Sequence, residues 1–173
     1  MQPREEAEIV ACIPSLRRYA RGLASERDRA DDLVQDTLER AWSARERWQR
    51  RGDVRAWMFG IMHNLFVDRL RRLRTRPEDS AGDEVPEQPV RPMQADGLEL
   101  RDLDRALQRL PPEQREVLLL VAVEELTYRE VATALGVPIG TVMSRLSRAR
   151  VRLRAELGQG AAPEPVGRIQ RVK

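Results

Sequence analysis

The apolar residues in the first half of the chain recur every three or four positions, which predicts three helices. The first stretch has one apolar stripe, interrupted by Pro14, that consists of Ile9, Ile13, Leu16, Ala20 and Leu23. The second runs from about residue 28 to residue 48, with a predicted inward face of Val34, Leu38, Ala41 and Trp42. The third follows a break at 51–53 and runs from about residue 54 to residue 74, with an apolar face of Met58, Met62, Leu65, Phe66, Leu70 and Leu73.

The second half predicts four further helices and a compact motif. Two apolar helices, over 98–110 and about 113–124, are separated by two prolines. Thr127, with Glu130 three positions on, is a capping box that opens the short helix YREVATAL. Gly136 stands where a tight turn needs a positive φ, and Pro138 opens a longer basic helix. This order is typical of a helix-turn-helix, with an ordinary helical hairpin as the alternative.

The two faces of that last helix favour DNA recognition. Its inward stripe is predicted to be Val142, Leu146, Ala149, Leu153 and Leu157. The opposite flank carries hydroxyls near the start and arginines further along, namely Thr141, Ser144, Arg145, Arg148 and Arg152. Such a face suits a helix that enters the major groove with its N-terminus first.

Composition divides the chain into two parts. Aromatic residues are 4% and charged residues 34% of the sequence, so we expect an all-α protein with aliphatic cores. Residues 77–97 contain four prolines, two glycines and six acids against one arginine, which predicts a flexible acidic linker. The expected organisation is a helical domain at 5–76, the linker, a second helical domain at 98–157 and a disordered tail at 158–173. The alternative is a long surface loop within a single domain.

Basic charge is concentrated in arginine and at particular places. The formal net charge is only +3, and Lys173 is the one lysine. Arginine suits phosphates and guanine edges, although a GC-rich genome would produce the same bias. The third helix ends in DRLRRLRTR, with five arginines against one aspartate. Trp57 shares a face of that helix with Asn64 and Arg71, which would form a base-stacking surface; alternatively Trp57 packs in a core and the arginines are solvated.

Several classes of function are disfavoured. One cysteine, Cys12, excludes an intramolecular disulfide and a cysteine metal cluster, and His63 is the only histidine. We therefore expect no catalytic residues, no cofactor and no metal. The N-terminus does not read as a secretory signal, and the longest apolar run, Val117–Val123, is too short to cross a membrane. A soluble, cytoplasmic protein is expected.

Three segments together resemble a known family. LPPEQREVLLLVAVEELTYREVATALGVPIGTVMSRLSRARVRLRAEL resembles region 4 of the sigma-70 superfamily, in its extracytoplasmic-function (ECF) group. ADDLVQDTLERAW and RAWMFGIMHNLFVDRLRR resemble the group's region 2, in its polymerase-binding and DNA-melting segments respectively. The resemblance covers about residues 8–76 and 98–157, and implies a bacterial sigma factor without enzymatic activity. The implied partners are the clamp helices and flap of core RNA polymerase, promoter DNA and, as in many relatives, an anti-sigma factor.

The resemblance also implies roles for individual residues. The positions matching the polymerase-docking segment are Asp32, Leu33, Gln35 and Asp36. Those matching recognition and melting of the downstream (−10) element are Arg51, Asp53, Trp57, Asn64, Arg69, Arg71 and Arg72. Those matching the upstream (−35) reading module are Thr127, Tyr128, Thr141, Ser144, Arg145, Arg148 and Arg152. Met143 stands where relatives often carry a basic residue, so the upstream sequence that is read is not implied.

Two other classes of function are weighed against this one. A stand-alone helix-turn-helix regulator would need a ligand pocket or a phospho-acceptor site in residues 1–76, and neither is evident. A metal-dependent nuclease would need clustered histidine or aspartate ligands, which one histidine and one cysteine disfavour.

Overall fold

The computed structural model describes residues 3–45, 48, 53–75 and 95–158. The described residues form eight α-helices and no strand. The helices are α1 (Pro3–Ala11), α2 (Ile13–Leu23), α3 (Arg27–Ala44), α4 (Val54–Thr75), α5 (Ala95–Gln108), α6 (Pro112–Ala122), α7 (Tyr128–Leu135) and α8 (Ile139–Glu156). The expected all-α class is confirmed. Arg51, most of the predicted linker and nearly all of the predicted tail lie outside the described residues.

Local chemistry explains where the helices begin. Pro14 lies in the first turn of α2, where the missing N–H of proline costs no hydrogen bond, so the chain breaks between α1 and α2. Asp53 precedes α4, and its carboxylate accepts a hydrogen bond from the backbone N–H of Arg55 at 3.0 Å. Pro112 occupies the corresponding early position in α6. Helix α5 begins at Ala95, three residues before the predicted start, and its first turn includes Gly97.

The first half is built on the inward stripes of α2, α3 and α4. Tyr19 packs edge to face against Phe59, with 5.1 Å between ring centroids. Two expected core residues are not buried: Trp42 is 45% exposed and Leu73 is 48% exposed. Both lie near the end of a helix, where the apolar stripe extends beyond the helices that pack against it. The guanidinium of Arg45 lies 5.0 Å from the centre of the Trp42 ring.

The second half packs α6 and α7 against α8. Val142, Leu146 and Ala149 are buried as the periodicity predicts, whereas Leu153 and Leu157 are half-buried towards the end of the helix. Gly136 has a φ of 63°, in the left-handed region, and turns the chain from α7 to α8. The predicted helix-turn-helix is therefore present.

The two halves pack against each other through α4 and α7, and through α2 and α6. Two glycines allow this close approach. A Cβ at Gly60 would lie 3.0 Å from the carbonyl oxygen of Ala134, and one at Gly22 would lie 2.7 Å from a methyl carbon of Leu119. Buried residues of both halves consequently form one continuous hydrophobic cluster. The division of the chain at residues 77–97 into two independent domains stays a prediction.

Candidate nucleic-acid interface

The helix-turn-helix is fixed at its start by a complete capping box. The Thr127 hydroxyl accepts a hydrogen bond from the backbone N–H of Glu130 at 3.3 Å. In return, the backbone N–H of Thr127 donates to the Glu130 carboxylate at 2.7 Å. The hydrogen bond from the Thr127 side chain is the largest cause that lowers the pKa of Glu130. The position at which α7 begins is thus determined by local contacts alone.

Helix α8 presents the predicted reading face to solvent. Ser144, Arg148 and Arg152 are exposed, while Thr141 and Arg145 are half-buried. The hydroxyl of Ser144 donates to the carbonyl oxygen of Thr141 at 3.1 Å. Exposed guanidinium groups on successive turns can reach base edges and phosphates.

Other residues flank this face at the surface. Thr127 is exposed and Tyr128 is half-buried at the start of α7. Met143 is 52% exposed on α8. The departure from a basic residue at position 143 therefore places an apolar side chain on the surface of α8.

Helix α4 carries the second group of predicted DNA contacts. Asn64, Arg71 and Arg72 are exposed along it. Trp57 is half-buried and stacks on Trp48, with 5.5 Å between ring centroids and 21° between ring planes. One aromatic ring is thus already stacked on Trp57, which is the geometry a base would use.

Two residues predicted for different partners are paired with each other. Arg69, predicted to hold DNA phosphates, forms an ion pair with Asp36, predicted to contact polymerase. Arg69 also donates to the carbonyl oxygen of Arg29 at 3.2 Å. This pair joins α4 to α3, and neither side chain is buried, so both can exchange partners at modest cost.

The predicted polymerase-docking face is only partly a surface. Asp32, Gln35 and Asp36 are exposed on α3, and Gln35 donates to Glu39 at 3.1 Å. Leu33, in contrast, is 1% exposed and belongs to the hydrophobic core. It lies on the inward side of α3 with Ala30, and its role in polymerase docking stays a prediction.

One cleft brings the two groups of predicted DNA contacts together. Its volume is about 350 Å³ and its lining includes Arg71 and Arg74 from α4, Arg145 from α8, and His63 and Glu116. Arg71 and Arg145, assigned to different promoter elements, therefore face the same space. No pattern along the chain indicated this proximity, since the two residues lie on separate predicted domains.

Polar side chains buried between the halves were missed by the sequence reasoning. His63 Nδ1 lies 2.7 Å from a carboxylate oxygen of Glu116, to which the Tyr19 hydroxyl donates at 3.3 Å. Burial, with the neighbouring Glu116 carboxylate, raises the pKa of Tyr19 well above 10.0. His63 thus links α4 to α6 through Glu116.

Arg115 is a second missed residue with several partners. Its guanidinium donates to the carbonyl oxygens of Leu107, Gln108 and Leu110 in its own half. It also donates to the carbonyl oxygen of Leu23, at the end of α2, at 2.8 Å. Burial is the main cause that lowers the pKa of Arg115. One side chain thus provides hydrogen bonds to backbone carbonyl oxygens at the ends of two helices from different halves.

Neither a metal cluster nor a membrane span is found in the described residues. They contain no group of three or more histidine, cysteine, aspartate or glutamate side chains that could hold a metal ion. Among the helices of this same part of the chain, none is long and apolar enough to cross a membrane.

Comparison with known proteins matches the two halves separately. Residues 9–63 match the family model described as the Sigma2 domain of PhyR, and residues 100–153 match sigma-70, region 4. The ECF RNA polymerase sigma factor EcfG of Rhodopseudomonas palustris is 40% identical over 150 residues, which cover 87% of this chain and 83% of that protein. The ECF sigma factor SigE of Mycolicibacterium smegmatis is 37% identical over 149 residues, covering 82% and 57%.

Two solved structures share the fold. The sigma factor RpoE of Bartonella quintana, in complex with the anti-sigma factor NepR, has a TM-score of 0.77 at 35% identity, covering 90% of this chain and 98% of that one. CnrH, in complex with the cytosolic domain of CnrY, has a TM-score of 0.68 at 27% identity, covering 91% and 89%. Regions 2 and 4 on one chain define a transcription initiation factor of the sigma-70 type. The chain belongs to the ECF RNA polymerase sigma factors, which confirms the family expected from the motifs.

Proposed function

We propose that this chain binds core RNA polymerase, directs it to promoters and helps to open the DNA there. The observation that carries the proposal is the presence, on one chain, of two helices with exposed polar and basic faces. Helix α8 exposes Ser144, Arg148 and Arg152, and α4 exposes Asn64, Arg71 and Arg72. Two reading helices suit recognition of two promoter elements, and membership of the ECF sigma factors supports it.

Helix α8 is proposed to read the upstream element in the major groove. Its exposed side would approach base edges with Ser144 and Arg148, because those side chains point away from the buried stripe. Thr127 and Tyr128, at the start of α7, would contact the DNA backbone. Phosphate contacts fix the register of the protein on DNA, and base contacts give the specificity.

Helix α4 is proposed to bind the downstream element as a single strand. Trp57 would stack on an unpaired base in place of Trp48, whose ring now stacks on it. Unstacking a base from the duplex costs a few kcal/mol, and stacking on an aromatic ring returns about 1–3 kcal/mol. The protein therefore traps an open strand, and the rest of the opening energy comes from the holoenzyme.

The docking surface for polymerase is proposed to be the exposed acidic face of α3, made of Asp32, Gln35 and Asp36. Region 4 would contact the flap of the polymerase. The chain itself would make and break no covalent bonds, and it would act in the cytoplasm with the polymerase. Because RpoE and CnrH were solved with the anti-sigma factor NepR and with CnrY respectively, we propose an anti-sigma partner here as well.

Run-off transcription tests the proposal. Core RNA polymerase from the same bacterium would be mixed with the full chain and a pool of genomic promoter fragments. We expect discrete transcripts that core enzyme alone does not produce. Transcripts that are the same with and without the chain would refute the function.

The docking surface has a test of its own. Asp32→Arg together with Gln35→Ala should weaken association with core polymerase, because both side chains are exposed and neither supports the core. Arg40→Ala, another exposed change on α3, is the control and should bind normally. Unchanged affinity of the double variant, with an intact circular dichroism spectrum, would count against this face.

A further inference from the structure

A buried carboxylate holds the two halves together. Glu124 lies in the connection between α6 and α7, and its side chain is fully buried. Arg18 of α2 donates to it twice, at 3.2 and 3.0 Å. Arg55 of α4 donates to its carboxylate at 3.2 Å and to its backbone carbonyl oxygen at 2.9 Å. Both arginines belong to the first half of the chain, whereas Glu124 belongs to the second.

Two arginines share the Glu124 carboxylate. The side chains of Arg18 and Arg55 are 54% and 38% exposed, and Glu130 also lies within electrostatic reach of Arg55. The Nε of Arg55 is buried, yet it has no hydrogen-bond partner among the described residues. A buried donor without a partner carries a desolvation cost. Part of the hydrogen-bonding capacity of Arg55 is therefore not used by Glu124.

The position of Arg55 gives it a second use that Arg18 lacks. Arg55 lies in the first turn of α4, between Asp53 and Trp57, where the melted strand is proposed to pass. Its guanidinium also lies 6.0 Å from the centre of the Phe59 ring on the same helix. This cation–π contact would keep the side chain in place after Glu124 is withdrawn. Arg18 lies on α2 instead.

The closed arrangement covers one side of the proposed reading face. Arg145 is half-buried and lines a cleft of about 350 Å³ that α4 also lines, whereas Ser144 and Arg148 are exposed. A duplex that reached Arg145 would meet α4. The halves must therefore separate for Arg145 to bind DNA, and separation removes Glu124 from Arg55.

We propose that Arg55 is a shared residue: it holds Glu124 in the closed arrangement, and after the halves separate it binds a phosphate of the single strand that passes the start of α4. Closing and strand binding would then compete for one side chain. The inference rests on the proposed function, because that function requires a melted strand beside Trp57. It gives Arg55, the first residue of the segment RAWMFGIMHNLFVDRLRR, a role in holding the closed arrangement that the family resemblance does not imply.

The salt dependence of binding to single-stranded DNA tests the proposal. A fluorescein-labelled oligonucleotide of mixed sequence would be titrated with the full chain at several KCl concentrations, and binding would be followed by anisotropy. A plot of the logarithm of the binding constant against the logarithm of the salt concentration falls with a slope of about 0.7 for each phosphate neutralised on a single strand. Arg55→Ala should reduce this slope by about 0.7, whereas Arg18→Ala should leave it unchanged.

Arg18→Ala is a matched control, because each variant removes one arginine and one partner of Glu124. Glu124→Gln keeps both arginines and should raise the affinity for the strand severalfold, with a larger radius of gyration in X-ray scattering. Arg55→Lys, which keeps the charge, should restore the slope. Should Arg55→Ala fail to fold by circular dichroism, Arg55→Gln would be compared with Arg18→Gln in the same way.

Equal slopes for Arg55→Ala and Arg18→Ala would overturn the proposal. So would an unchanged affinity and radius of gyration for Glu124→Gln. These measurements contain no polymerase, so they are independent of the run-off test. A chain that fails the run-off test but shows the Arg55 slope change would refute the proposed function and leave the DNA contact of Arg55 standing.

Discussion

Gly60 gives the most direct test of the close packing between α4 and α7. It lies within α4, where an alanine would normally be favoured. A Cβ at this position would lie 3.0 Å from the carbonyl oxygen of Ala134 and 3.6 Å from the Cα of the same residue. Both atoms belong to the backbone of α7, so they cannot rotate away as a flexible side chain could. Gly60→Ala should therefore push the two helices apart.

Two opposing contributions determine how much Gly60→Ala changes the free energy of unfolding. Replacing glycine by alanine within a helix stabilises it by about 1 kcal/mol. Overpacking a well-filled contact costs about 1–3 kcal/mol. Gly60→Ala should therefore lower the free energy of unfolding by about 0–2 kcal/mol. Gly140→Ala is the control, because Gly140 lies in the first turn of α8 and a Cβ there would have no atom within 4 Å, and it should stabilise the chain by about 0.4–1 kcal/mol.

Urea unfolding of the full chain, followed by circular dichroism, measures both variants. The midpoint should fall or stay level for Gly60→Ala and rise for Gly140→Ala. Thermal unfolding gives the same comparison, since 1 kcal/mol shifts the midpoint by about 2–4 °C in a chain of this size. An equal rise for both variants would refute the reasoning, because it would mean that α7 does not contact α4 at Gly60.

Three further predictions concern single side chains. Thr127→Ala removes the cap of α7 and should lower the free energy of unfolding by about 1 kcal/mol in urea; no change would mean that the cap does not form in solution. The raised pKa of Tyr19 means that its neutral form is favoured in the fold, so stability should be full below 10.0 and fall as the pH rises above it. In Tyr19→Phe, the urea midpoint should change less between about pH 9 and 11 than it does in the unsubstituted chain. An equal pH dependence of the two midpoints would contradict the assignment. On a promoter found by run-off, Arg148→Ala should reduce transcription roughly tenfold or more, and the loss should shrink where the base it reads is already mutated. Arg154→Ala, on another flank of α8, should matter much less; equal losses would mean that α8 supplies only diffuse positive charge.

Features with a local signal were predicted from the sequence. The capping box needs only the three-residue spacing of Thr127 and Glu130, and the left-handed turn needs only the glycine at 136. The buried stripe of α8 follows from helical periodicity, since it includes Val142, Leu146 and Ala149. These features depend on neighbours along the chain, so the sequence alone determines them.

Burial was predicted less well where the pattern on α3 was incomplete. Leu33 was matched to the docking segment by its motif, and periodicity could have shown that it is buried, since Ala30, Val34 and Thr37 on the same side of α3 are buried too. Trp42 was predicted to face inward but is 45% exposed, because the apolar pattern continues along α3 beyond the last helix that packs on it.

Contacts between the halves could not have been predicted. Arg18 and Glu124 are 106 positions apart, and His63 and Glu116 are 53 apart. No spacing rule relates residues at such distances, and each side chain on its own is typical of a solvated helix face. The candidate site was therefore predicted as two separate surfaces, and the cleft they share was missed.

The cluster shared between the halves has a consequence for synthesis on the ribosome. Gly60 and Gly22 are made early, but their partners Ala134 and Leu119 are made later. The chain must grow by 60 residues after the end of α4 at Thr75 before α7 is complete at Leu135. At about 5–20 residues per second, this takes roughly 3–12 seconds. During that time the faces of α2 and α4 that later meet α6 and α7 stay uncovered, so the nascent chain offers apolar surface to chaperones before it can close.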